Sequence, residues 1–261
     1  MEVLEAPSEE LLELLADLEY EPSEVSIPGI EPPLSVRVVD EIPLELLTLL
    51  RDYKAEISGR RVWPGSVVLA LAICQPNFPI KMSGQSVLEL GAGSGLIGMV
   101  GARLGAERVV ITDGDQISVD LAAGNLEENG YTSEEGGRTV ATRLLWGKGE
   151  HSDAFKSNAS LFPTEGFNII VAADVMYKPI LPPLLFETIK MMLAKDGVAL
   201  ICHILRAGVT QDIVVQAGKD AGFTIEKLTI PHDSFPNPHC TEAEAQESSL
   251  YLLRHMEMEV K

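Results

Sequence analysis

From residue 85 onward, short apolar β-type runs alternate with stretches whose apolar residues recur at helical spacing. The runs are SVLEL (86–90), RVVITD (108–113), TVATRLLW (139–146), FNIIVAAD (167–174), GVALICHIL (197–205), FTIEKLTI (223–230) and SLYLLRH (249–255). Helical patterns occupy LIGMVGARLG, ISVDLAAGNLEENG, LPPLLFETIKMMLA and VTQDIVVQAGKDAG between them. Strand–helix alternation predicts an α/β fold with a doubly wound, largely parallel sheet of seven strands. The last two runs are separated by DSFPNPHCTEAEAQESS, which holds no strong helical pattern. Without a crossover helix, the last strand is predicted to pair antiparallel with its neighbour.

Ahead of residue 85 the pattern is different. SEELLELLADLEYE (8–21) and IPLELLTLLRDYKAEI (42–57) carry helical spacing. EPSEVSIPGIEPPLSVRVVD between them is broken by prolines and predicts an irregular or β-like arm. After Trp63-Pro64-Gly65, SVVLALAICQ predicts a buried helix. The chain thus divides into an N-terminal helical and irregular extension, residues 1–60, and a domain over 61–261.

Composition narrows the function. The formal net charge is -19, and residues 1–60 alone hold 15 acidic and four basic side chains. Such a chain repels nucleic-acid backbones and anionic membranes and favours a basic partner. No apolar run approaches the ~18 residues of a membrane span, and MEVLEAPSEE lacks the basic start of a signal peptide. Three scattered cysteines, Cys74, Cys202 and Cys240, form no disulfide framework. A cytoplasmic monomer is expected, with the nucleus also open. His232, His239 and Cys240 fit no zinc spacing, so no metal is expected.

The chemistry centres on VLELGAGSGLIG (87–98). Gly93, Gly95 and Gly98 match the G-x-G-x-x-G dinucleotide fingerprint, and Asp113 stands where such sites bind a ribose. A nucleoside ligand is implied. Both a nicotinamide dinucleotide and S-adenosylmethionine (SAM) carry that ribose. Glu89, just ahead of the glycines, would repel a pyrophosphate and suits a cationic ammonium or sulfonium group. Trp146 offers an aromatic face beside the adenine position. Asp174 and Tyr177 close the fourth strand at the ligand edge of the sheet. No hydride-transfer constellation follows, so SAM is favoured.

On these residues the sequence resembles the seven-strand, Rossmann-like class I SAM-dependent methyltransferases. Within them it is similar to the methyltransferase family 16 lysine methyltransferases. Four segments carry the likeness in order: RRVWPGSVVLA (60–70), VLELGAGSGLIG (87–98), VVITDGDQISVDLAAGNLEENG (109–130), and ATRLLWGKG through FNIIVAADVMY (141–177). The resemblance implies that Trp63 lines the cofactor pocket, and that Gly91, Ala92 and Gly93 approach the methionine portion. It further implies Asp113 at the ribose hydroxyls, Trp146 at the adenine and Ala173 beneath the cofactor. Asp174 and Tyr177 match the Asp-x-x-Tyr motif at the methyl-acceptor entrance. The implied acceptor is a lysine of a non-histone protein. VWP, ITDGD and AGFTIEKL…LYLLRH are most similar to the calmodulin-lysine branch, whereas the Asp-x-x-Tyr motif is better matched by other branches. The negative charge opposes an acidic substrate such as calmodulin, and elongation factors and chaperones remain open. A small-molecule methyltransferase, a non-catalytic SAM-fold interaction protein and a nicotinamide dehydrogenase are the alternatives.

Overall fold

The computed structural model of the chain describes residues 19–39, 58–131, 138–147, 161–205, 208–231, 235 and 237–256. The helix expected over 42–57 and nearly all of that over 8–21 lie outside these residues, as does His232.

The Pro-punctuated arm is an antiparallel hairpin, β1 (Glu21–Ile27) and β2 (Ile30–Val38), turning at Gly29 with φ 87°. Its prolines sit in a two-stranded ribbon, where both strands are edges and a missing N–H is tolerated. Val25, Ile27, Ile30, Leu34 and Val36 are buried on one side and share a core with the helices described next. A turn of 3-10 helix, Ser58–Arg60, leads into α1 (Pro64–Ile73), with Trp63 at its N-cap and Pro64 in its first turn. Proline suits that position because the first helical N–H groups have no intrahelical partner.

The remaining elements alternate as expected: β3 (Ser86–Leu90), α2 (Leu96–Arg103), β4 (Arg108–Asp113), α3 (Gln116–Glu128), β5 (Thr139–Arg143) and β6 (Phe167–Ala173). Then come α4 (Leu181–Met192), β7 (Leu193–Ile204), α5 (Gln211–Asp220), β8 (Phe223–Leu228), α6 (Glu242–Glu247) and β9 (Ser248–His255). Seven strands form one sheet in the order β5-β4-β3-β6-β7-β9-β8. The pairs among β3–β7 are parallel, and β9 runs antiparallel to both β7 and β8. The last strand is therefore antiparallel, as its connection implied, but it is inserted between two others. The polar stretch before it contains α6, a six-residue helix opened by a Thr241/Glu244 capping box.

The two faces of the sheet bury separate cores. Val87, Val109, Ile111, Ile169 and Val171 pack with α1, α2 and α3. Leu88, Leu90, Val110, Ile170 and Ala172 pack with Phe186 and Ile189 of α4 and Val214 of α5. The period of two along β3 fixes where its acid goes: Glu89 shares the face of Val87 and lies under α2. All parallel strands end at one edge, and the expected site residues gather there.

Candidate methyl-transfer site

The loop between β3 and α2 takes its shape from glycine. Gly91, Gly93 and Gly95 have φ of 67°, 53° and 79°, the left-handed region that L side chains rarely adopt. At Gly91 space matters too. A Cβ there would come within 2.7 Å of Val175 Cγ1 and 3.1 Å of the Trp146 ring. The loop, the tryptophan after β5 and the residue after Asp174 thus meet at one point. Ala92 is held by its N–H, which donates to the Thr112 carbonyl at 3.0 Å.

Asp113 ends β4 and ties down the same loop. Its Oδ2 accepts from Gly93 N–H at 2.9 Å, and its Oδ1 from Asp115 N–H at 3.0 Å. Burial raises its pKa, against these backbone hydrogen bonds. The carboxylate stands beside the glycine turn, where a ribose diol is expected.

Glu89 is placed differently. It is 2% exposed, and its Oε2 accepts from Gly98 N–H in the first turn of α2 at 2.8 Å. Burial pushes its pKa up to about 8, against hydrogen bonds from Gly98 and Ile97. The carboxyl therefore lies with α2 and not at the open edge where the other candidates meet. This position also answers the fingerprint question. A dinucleotide pyrophosphate uses the amides at the helix N-terminus, and here Glu89 already takes that of Gly98.

Glu89 gives a pH prediction. Below its ordinary value of 4.5, folded and unfolded chains both hold the proton, and its stabilising contribution is fully present. As pH rises toward about 8, the unfolded chain loses the proton first and that contribution is lost. Glu89→Gln should therefore gain stability relative to wild type between pH 5 and 8, by at most on the order of 3–4 kcal/mol. Urea unfolding at the two pH values measures it. An unchanged difference between the variants would exclude Glu89 as the titrating group.

Asp174 follows β6 with φ 59°, the one non-glycine residue with positive φ among those described. Aspartate tolerates this conformation better than most residues, and such strain concentrates at functional sites. Its N–H donates to the Cys202 carbonyl at 3.0 Å, and its Oδ2 accepts from Gly65 N–H at 3.1 Å. A Cβ on Gly65 would lie 3.1 Å from both Cγ and Oδ2 of Asp174. The Trp63-Pro64-Gly65 phrase thus starts α1 and lets Asp174 reach its first turn. Gly65 was not apparent from sequence, although a glycine in the first helical turn, with no propensity reason to be there, was the available signal.

Trp63, at the N-cap of α1, is half-buried, with the Arg61 guanidinium 4.6 Å from its ring centroid. Ala173 packs partly buried against the core beneath the edge. Tyr177 stands at the rim, 37% exposed, with Lys178 Nζ 5.4 Å from its ring centroid. The structure therefore brings the glycine loop, Asp113 and Trp146 together, with Asp174 against Gly65 in the first turn of α1. It leaves Tyr177 outward and Glu89 below. His239 faces the hairpin, within 3.4 Å of Ser23 Oγ and 3.3 Å of the Glu24 carbonyl. Among the described residues no three His, Cys, Asp or Glu side chains are grouped to hold a metal ion. None of the described helices is long and apolar enough to cross a membrane.

The relatives agree with this architecture. The zebrafish Danio rerio protein N-lysine methyltransferase METTL21A is 32% identical over 159 residues, 60% of this chain and 66% of its own. The mouse EEF1A lysine methyltransferase 3 is 28% identical over 62% of each chain. The Arabidopsis thaliana calmodulin-lysine N-methyltransferase is 36% identical over 50% of this chain and 40% of its own. The matches thus span two thirds or less of each relative. A solved Streptococcus mutans chain described as a SAM-dependent methyltransferase shares the fold at TM-score 0.54 and 13% identity, covering 89% of this chain and 55% of that one. A methyltransferase chain complexed with S-adenosylhomocysteine (SAH) does so at 0.53 and 14%, covering 89% and 56%. The family model described as lysine methyltransferase matches residues 43–215, and with it the glycine loop, Asp113 and the strained Asp174. The chain belongs to the lysine methyltransferase family.

Proposed function

We propose that this protein is a SAM-dependent protein-lysine N-methyltransferase acting on a non-histone protein. The observation that carries this is the pairing of a glycine cradle beside Asp113 with a strained Asp174 fixed by Gly65. Two observations support SAM: glycine at position 91 lets the loop lie against the Trp146 ring, and Glu89 takes the Gly98 amide at the start of α2, an amide a pyrophosphate would use. When bound, SAM supplies an electrophilic methyl on its sulfonium. Asp113 would take the ribose hydroxyls and Trp146 the adenine. Gly91, Ala92 and Gly93 would face the methionine portion, with Trp63 lining the pocket and Ala173 beneath it. Glu89 would keep the loop in register with α2.

The acceptor nitrogen must be neutral, although a free lysine has a pKa of about 10.4. Asp174 attracts the incoming ammonium and, after its proton leaves to water, accepts from the remaining N–H to aim the lone pair. Tyr177, at the rim, orients the lysine stem. Both are positioning contacts to the substrate rather than an obligatory general base.

The net charge of -19 favours a lysine in a basic segment, of an elongation-factor or chaperone type, over an acidic substrate such as calmodulin. It also disfavours a nucleic-acid or membrane partner. The free thiols Cys74, Cys202 and Cys240 support a cytoplasmic location, the nucleus included. We read the protein as a monomer in which residues 61–261 form the methyltransferase domain behind an acidic extension, residues 1–60. Incubation with labelled SAM and a cell extract, followed by identification of the labelled lysine, tests the assignment. Label on a small molecule alone would overturn it. On the identified substrate, Tyr177→Phe should lower turnover by about five- to 100-fold and leave SAM affinity nearly unchanged. Equal turnover would reduce Tyr177 to a surface residue.

A further inference from the structure

Arg60 ends the 3-10 turn ahead of α1, and its side chain is left over by everything described so far. It is 2% exposed, yet Nε, Nη1 and Nη2 all lack a hydrogen-bond partner. Burial draws its pKa below the ordinary arginine value, against the opposing influence of Tyr20 and Asp115. Asp115 does not pair with it. That carboxylate caps α3 and accepts from Ser118 N–H at 3.1 Å and Ser118 Oγ at 3.0 Å. An arginine with five donors and nothing to receive them is costly to bury, because the lost hydration is not replaced.

The place of this residue suggests what receives them. Its turn is pressed onto the glycine loop: a Cβ on Gly93 would lie 2.9 Å from the Gly59 carbonyl oxygen and 3.2 Å from Gly59 Cα. Arg60 directly follows the residue that touches this loop, the segment expected to face the methionine portion of SAM, whereas the neighbouring Arg61 lies over the Trp63 ring. That cofactor carries one anion, the methionine α-carboxylate. Its sulfonium and ammonium would be repelled, and its adenosine is neutral. A guanidinium fork matches a carboxylate with two parallel hydrogen bonds. We propose that Arg60 receives the methionine α-carboxylate of bound SAM, and that this contact supplies the partner its buried guanidinium lacks.

The proposal concerns the cofactor and is independent of which acceptor is methylated, so it is tested by binding alone. The full chain and its Arg60→Met variant are titrated calorimetrically with SAH and with S-adenosyl-3-thiopropylamine. The second ligand keeps the amine and thioether and lacks only the carboxylate. The substitution should weaken SAH by about 10- to 100-fold and leave the decarboxylated ligand within about twofold. Wild type should prefer SAH over that ligand by a similar factor, and Arg60→Lys should fall between. Without ligand, Arg60→Met should melt no lower than wild type, because it removes an uncompensated buried charge. SAH binding that is unchanged by Arg60→Met would overturn the proposal. So would equal loss of both ligands, or a lowered ligand-free melting point, since either marks Arg60 as a structural support.

Discussion

Asp174→Asn is expected to lower lysine methylation by about 10²–10³-fold while SAH affinity stays within about threefold. Asparagine is the most informative replacement because it also tolerates φ near 59° and can still accept from Gly65 N–H. The backbone and the start of α1 are then preserved, and the charge that draws in the ammonium is lost. Single-turnover rates on the identified substrate, with calorimetry for SAH, separate the two effects. A tenfold loss of SAH affinity would move Asp174 to the cofactor side. Undiminished turnover would leave it only its contact with α1. Asp174→Ala is a poorer probe, since it removes that contact and places an intolerant residue in the left-handed region.

The second large effect is expected at Gly98. A Cβ there would meet Ile111 Cγ1 at 2.5 Å and Cδ1 at 2.6 Å, and Glu89 Oε2 at 2.8 Å. Ile111 is 1% exposed and has nowhere to go. Gly98→Val should overpack this contact and displace the Glu89 hydrogen bond, at about 3–5 kcal/mol of stability. For a chain of this size that lowers the melting temperature by roughly 8–15 °C. A melting point within about 2 °C of wild type would show that α2 lifts away from the sheet at little cost. The third glycine of the fingerprint thus serves helix-on-strand packing, a role that needs no dinucleotide.

Much of the fold was legible because the parallel strands are buried on both faces and read as continuous apolar runs, such as VVI in β4 and IIVAA in β6. The ends were less so. β7 begins at Leu193 and not at Gly197, since Lys195 and Asp196 lie at an exposed start that apolar content does not mark. The hairpin was hidden by Pro22, Pro32 and Pro33, which end helices and central strands but not a two-stranded ribbon. In the candidate site, motif spacing pointed to Asp113 and Asp174, which the structure places at or just past the ends of β4 and β6. The direction of Glu89 was implicit in its parity with Val87, which aims it beneath α2. Gly65 and Arg60 were out of reach, because each depends on a contact across 30 or more residues: Gly65 with Asp174, and the Arg60 turn with Gly93.

The position of β9 constrains how the molecule can be built. It comes after every other described strand, yet it fills the gap between β7 and β8 and hydrogen-bonds to both. During synthesis β8 has no place in the sheet until β9 emerges, and β7 keeps a row of unmet N–H and C=O groups. Leu250, Tyr251, Leu252 and Leu253 are at most 3% exposed, so the same step seals both cores. Completion of the sheet therefore waits for residues 248–255, and a nascent chain stalled near residue 247 would present two adhesive strand edges to its neighbours.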